Sequence, residues 1–128
     1  MGKNWWLLMK FIFDIKIRKN SYDEIFLKEI LKYYSWMDVE NKVILDIGGC
    51  FGGYSYYALK NNAKQVITIE PESNNCSLIR ENLKSFNNSI ILESAVTDTD
   101  EEYIDFFLYK KKNNYGTHSV YTFKGRES

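Results

Sequence analysis

From Tyr22 to Met37 the apolar residues Phe26, Ile30, Tyr33 and Met37 recur at helical spacing. Ser21 and Glu24, three residues apart just ahead of them, form the pattern of a capping box. The spacing predicts a helix over 22–37 with one face packed on a sheet. A polar connection, 38–42, leads into the apolar run Val43–Ile47, read as a first strand that ends in a cluster of glycines. The next helix carries Tyr54, Tyr57 and Ala58 and stops at Asn61-Asn62. Gln65–Ile69 is the second strand, closed off by Pro71; Ile79, Leu83 and Phe86 mark the buried side of the following helix; 90–92 is the third strand. Strands alternating with helices in this way form βαβαβ, one mononucleotide-binding half of a doubly wound α/β sheet. Beyond it, 103–109 alternates imperfectly and predicts another strand. Lys110-Lys111-Lys112 then reads as a solvated loop turning at Asn113, Asn114 and Gly116, with 120–123 as its partner strand.

The chemistry concentrates between the first strand and its helix. Gly48, Gly49, Gly52 and Gly53 occupy four of six positions there, more than a bare turn needs. Glycine lets backbone approach a ligand closely, and the first N–H groups of the helix would face that ligand with the positive end of the helix dipole. A dinucleotide loop places a glycine where this chain has Cys50, because the backbone must reach a pyrophosphate. S-adenosylmethionine has no pyrophosphate, so the spacing favours it over NAD, and Asp46 is placed to order the loop or receive the amino-acid end of the cofactor. Glu70, at the end of the second strand and about twenty residues after the glycines, stands where an acid takes ribose hydroxyls in either cofactor class.

The ordered set D-I-G-G-C-F-G-G-Y-S, A-K-Q-V-I-T-I-E-P-E-S-N-N, E-N-L and A-V-T-D resembles the FkbM family of S-adenosylmethionine-dependent methyltransferases. Upstream, R-K-N-S-Y-D-E from Arg18 and Tyr34 resemble the segment before the glycine loop in that family, so the likeness runs from Arg18 to Ser119. Gly49-Cys50 departs from the Ala-Asn usual there. The resemblance implies a Rossmann-like class I methyltransferase fold, a parallel sheet with flanking helices. It also implies O-methylation of a sugar, glycan or other small-molecule hydroxyl. The cofactor-binding residues expected are Asp46, Gly48, Gly49, Cys50, Gly52, Tyr54, Glu70 and Pro71, with Ser94 and Ala95 beside the adenine; a serine at 94 is a weaker acceptor than the acid common there. His118, the single histidine, is a weak candidate for the base a hydroxyl acceptor needs, and no metal site is expected.

An acidic motif that follows in the resembled family has no counterpart after Gly125. The expectation is therefore a fold lacking its C-terminal half: an N-terminal arm and helix over 1–40 and the cofactor-binding βαβαβ half over 41–128. Losing that half would bare an apolar edge on the first strand: either the chain is a fragment of a longer protein, or the 103–123 segment, a partner chain or a second copy covers the edge. Two readings of other classes remain: a non-catalytic remnant or interaction subunit, and an NAD-dependent oxidoreductase.

Composition narrows the rest. With 128 residues, 45% apolar and one proline, the chain holds enough apolar material for one folded core. Its formal charge of zero gives no general invitation to nucleic acid or an acidic membrane. The stretch around Trp5, Trp6, Phe11 and Phe13 is broken by Lys10 and too short to span a bilayer, and no cleavage site follows it. Stable membrane insertion is not expected, and a cytoplasmic location is. Two cysteines, Cys50 and Cys76, make neither a disulfide framework nor a metal spacing and read as small apolar fillers.

Overall fold

Alternation in the three short strands decides the layering. The computed structural model describes residues 14–108, in which β1 (Val43–Ile47), β2 (Gln65–Ile69) and β3 (Ser89–Leu92) form a parallel sheet in the order β1-β2-β3. Val43 pairs with Gln65 and Val66 with Ser89, so Asp46 and Thr68 sit side by side on the same face. Helices α1 (Asp23–Tyr33), α2 (Gly53–Lys60) and α3 (Ser73–Leu83) complete the unit. The two crossovers in one direction put α2 and α3 on one face, which buries Val66 and Thr68 with Ala58, Leu59, Ile79 and Leu83. Val43, Leu45 and Ile47 point the other way and remain 58%, 56% and 57% exposed; Ile90 and Leu92 on β3 are exposed as well. Among the described residues β1 is an edge strand, as anticipated, and the sheet face away from α2 and α3 is apolar and uncovered.

Local signals account for the element ends. Asn62 at φ 65° closes α2: its N–H reaches Leu59 O at 3.2 Å and the N–H of Ala63 reaches Ala58 O at 3.0 Å, a Schellman pair with asparagine in the left-handed position. The carboxylate of Glu72 caps α3 by accepting from the N–H groups of Asn74 at 3.0 Å and Asn75 at 2.7 Å.

Four expectations are corrected. The first helix ends at Tyr33, so Met37 lies outside it and Tyr33 is exposed; the buried stripe instead runs through Asp23 and Leu27, with Phe26, Ile30 and Leu31 partly buried. This helix packs mainly on α2 and not on the sheet, because α2 already covers that part of β1 and β2. Ser21 makes no capping box with Glu24: its Oγ accepts from the N–H of Asp23 at 3.2 Å and donates to Arg18 O at 2.7 Å, while Glu24 pairs with Lys28. Residues 103–108 form no strand beyond one bridging residue at Phe107, since their broken alternation supplies no continuous ladder. The expected arm before residue 14, the lysine loop and turn, the strand 120–123 and His118 lie outside the described residues.

Candidate cofactor site

The C-terminal ends of parallel strands converge, and the loop after β1 is held there by its neighbours. The N–H groups of Gly48 and Gly49 donate to Ile69 O at 2.8 and 3.2 Å, and that of Ser94 donates to Glu70 O at 3.2 Å. Asp46, Gly48, Glu70 and Ser94 therefore lie at one end of the sheet, as the sequence predicts. A cleft of about 590 Å³ opens beside the loop. Asp46, Gly48, Gly49, Cys50 and Tyr54 line one side of it, and Phe26, Ile30, Tyr34 and Met37 the other. Gly52, Glu70, Pro71, Ser94 and Ala95 do not line this cleft. Gly52 is buried at φ 84° as the N-cap of α2, and Ser94 is exposed beyond the end of β3. Pro71 is half-buried behind Glu70.

The glycines divide by what surrounds them. A Cβ on Gly49 would lie 2.3 Å from Thr68 Cγ2, so that glycine serves internal packing. Gly49→Ala should cost about 1–3 kcal/mol through overpacking, read as a lowered urea midpoint; an unchanged midpoint would show that Thr68 yields freely. Gly48, at φ 79°, has nothing within 4 Å of where its Cβ would be. Its backbone borders open space, as a ligand cradle requires.

Asp46 is held from above. Ser55 Oγ donates to Asp46 Oδ2 at 2.6 Å and lies 2.6 Å from Thr68 Oγ1, so strand, helix and neighbouring strand meet in one hydroxyl chain. Burial pushes the Asp46 carboxyl above its ordinary range; hydrogen bonds from the Ser55 side chain and N–H pull the other way, and the nearby charge of Glu70 pushes it up further. A half-buried carboxylate that lines the cleft gains from a cationic or N–H donor there. Neither Ser55 nor Thr68 was legible as a site residue; a serine in the first helical turn and a threonine at a strand centre were the available signals.

Glu70 works inward. Its Oε2 accepts from the N–H of Cys50 at 2.9 Å, and its Oε1 from the N–H of Glu72 at 3.0 Å and from Asn75 Nδ2 at 3.3 Å. Three of about four acceptor positions are thus used to fix the loop, leaving about one on Oε2 for a ribose hydroxyl. Cys50, at φ 53°, is half-buried. Burial first, then the charge of Asp23, raises its thiol to about 12, which keeps it protonated and slow to react near neutral pH. Among the described residues no group of three or more His, Cys, Asp or Glu is placed to hold a metal ion.

The profile of the FtsJ-like methyltransferase family matches residues 27–115, well over half of the chain. The chain belongs to the FtsJ-like methyltransferase family. Its fold is similar to that of the candidate RNA methyltransferase PH1948 of Pyrococcus horikoshii. The two share a TM-score of 0.59 and 27% identity over 77% of this chain and 55% of that one. It is also similar to the candidate methyltransferase yhhF of Escherichia coli, with a TM-score of 0.50 and 16% identity over 63% of this chain and 46% of that one, a likeness of fold alone. This chain thus spans about half the length of the solved structures it matches. No curated protein matches it. The Rossmann-like methyltransferase fold and the cofactor class expected from the sequence stand, and the cofactor of this FtsJ-like methyltransferase is S-adenosylmethionine. The residues present fit it: open space over Gly48 and a half-buried carboxylate at Asp46, both lining a cleft with Tyr54. No helix among the described residues is long and apolar enough to cross a membrane.

Proposed function

We propose that this chain forms the cofactor-binding half of an O-methyltransferase acting on a sugar or glycan hydroxyl, the acceptor implied by the FkbM-like order of its motifs. The observation that carries the cofactor part is the open backbone at Gly48 beside the half-buried Asp46 carboxylate. Gly48, Gly49 and Tyr54 would border the methionine end, Asp46 would receive its ammonium group, and Glu70, Pro71, Ser94 and Ala95 would lie toward the ribose and adenine. When bound, the cofactor supplies an electrophilic methyl group on a sulfonium. The chain's own contribution is alignment: Glu70 and the β2 carbonyl of Ile69 fix the loop, and Phe26, Ile30, Tyr34 and Met37 give the cleft apolar lining. In this reading 1–40 is an arm and helix packing on the domain and 41–128 is the cofactor unit, with a partner chain or second copy against the β1 edge. A cytoplasmic location goes with it.

A second reading takes RNA as the acceptor, favoured by the likeness to PH1948 at 27% identity. It would replace the expectation of no nucleic-acid partner. The test is calorimetric titration of the 128-residue chain with S-adenosylhomocysteine, with NAD as control, followed by transfer of labelled methyl from the cofactor to glycans, small sugars and RNA. Binding of the homocysteine ligand alone supports the donor site, and selective NAD binding overturns it. Labelled RNA without labelled sugar would replace the first acceptor by the second. Ligand binding without transfer to any acceptor would favour the non-catalytic reading.

A further inference from the structure

Ahead of α1, residues 15–18 run across α3 and are tied to it and to the cofactor loop by a buried polar network. Arg18 grips Asp23 with two nitrogens, Nε to Oδ2 at 2.8 Å and Nη2 to Oδ1 at 3.0 Å, while the N–H of Arg18 reaches the same Oδ2 at 3.0 Å. Its Nη1 donates to Asn75 Oδ1 at 2.6 Å. That contact fixes which way the Asn75 amide faces, so that Nδ2 is the atom turned to Glu70 Oε1 at 3.3 Å. Glu70 Oε2 in turn holds the N–H of Cys50. A shorter route runs directly from Arg18 Nη2 to Cys50 Sγ at 3.7 Å.

About two turns further along α3, Asn82 does the same for the backbone. Its Oδ1 accepts from the N–H of Lys16 at 2.7 Å, and its Nδ2 donates to Lys16 O at 2.9 Å and to Phe51 O at 2.8 Å. Asn75 and Asn82 are seven residues apart and share a face of α3. Each therefore joins the segment before α1 to one of two adjacent loop residues, Cys50 or Phe51. Asp23, Asn75, Glu70 and Asn82 are 0%, 1%, 5% and 6% exposed, so the network is inside the molecule, where breaking one link leaves groups unsatisfied.

We propose that Arg18 is a positioning residue for the cofactor loop, acting through Asn75 and Glu70 on Cys50, and that residues 15–18 are the strap that sets loop geometry from outside the βαβαβ unit. The consequence for cofactor affinity rests on the donor-site reading above; the effect on the loop does not. Burial opposes the charge on Arg18, but the hydrogen bonds and charge of Asp23 outweigh it, and the guanidinium stays ionised. Lysine would keep that charge against Asp23 but has no fork with which to reach Asn75 as well.

The experiment compares the full chain with Arg18→Lys and with the double variant Arg18→Gln/Asp23→Asn, which leaves no uncompensated buried charge. Three quantities are read: the melting transition, the rate at which a thiol reagent labels Cys50 in a Cys76→Ser background, and S-adenosylhomocysteine affinity. The expected result is a cooperative melt for Arg18→Lys, Cys50 labelling faster by about tenfold in both variants, and affinity lower by about tenfold. Labelling at the parental rate in folded Arg18→Lys would overturn the proposal and reduce Arg18 to a structural ion pair. Faster labelling in variants of a chain that binds no ligand at all would uphold the strap and remove the donor-site reading instead.

Discussion

Glu70→Ala is expected to lower folding stability by about 2–6 kcal/mol, at about 1–3 kcal/mol for each of two backbone donors left without an acceptor. Those two are the N–H groups of Cys50 and Glu72, and the side-chain amide of Asn75 loses one of its contacts as well. A domain of this size holds about 5–15 kcal/mol in total, so the variant should be largely unfolded or poorly expressed, as circular dichroism and urea titration would show. Glu70→Gln separates the structural role from the ligand role. It keeps one acceptor oxygen but turns an amide NH₂ toward a backbone N–H, so it should fold with reduced stability and with the loop displaced. A Glu70→Ala chain as stable as the parent would mean that water or another acceptor replaces the carboxylate, and that Glu70 serves a ligand alone.

Asp23→Ala should cost about 3–5 kcal/mol, the range seen when one partner of a buried ion pair is removed. Asp23 is fully buried and accepts three hydrogen bonds from Arg18, two from the guanidinium and one from the backbone. Its loss leaves a partly buried cation and frees the segment before α1 at the same time. Equilibrium unfolding in urea measures the cost directly, and Asp23→Asn, which keeps an acceptor without the charge, should lose less. A cost below about 1 kcal/mol would put the Arg18–Asp23 pair with exposed surface bridges. The exposed bridges elsewhere, such as Lys28–Glu24 and Lys42–Asp38, should each contribute that little.

The two predictions concern residues of opposite legibility. Glu70 was visible as a site residue because an acid at the end of a second strand, after a glycine loop, has a stereotyped place. Its inward work was not visible, because the donors it satisfies come from Cys50, Glu72 and Asn75, which converge only when α3 packs behind the loop. Asp23 and Arg18 stood inside a quoted motif, yet nothing in their spacing revealed that the aspartate is buried and the arginine reaches across to α3. Asn75 and Asn82 also stood inside quoted motifs, and there too nothing in the spacing revealed that their amides are buried.

The sequence by itself determined the order of elements, the parallel half-sheet, the glycine loop with Asp46 and Glu70 at the strand ends, and the cofactor class. Those follow from local rules: period-two and helical patterning, glycine after a strand, and proline and asparagine at element ends. Only the tertiary structure decided the rest. It made Gly49 a packing glycine and Gly48 an open one, ended α1 at Tyr33 and turned it onto α2, left 103–108 without a strand, and tied residues 15–18 to α3 behind the loop. Each of these depends on which surfaces face each other across 20 or more residues, and a hydrogen bond between Arg18 and Asn75, 57 positions apart, has no local signature to read.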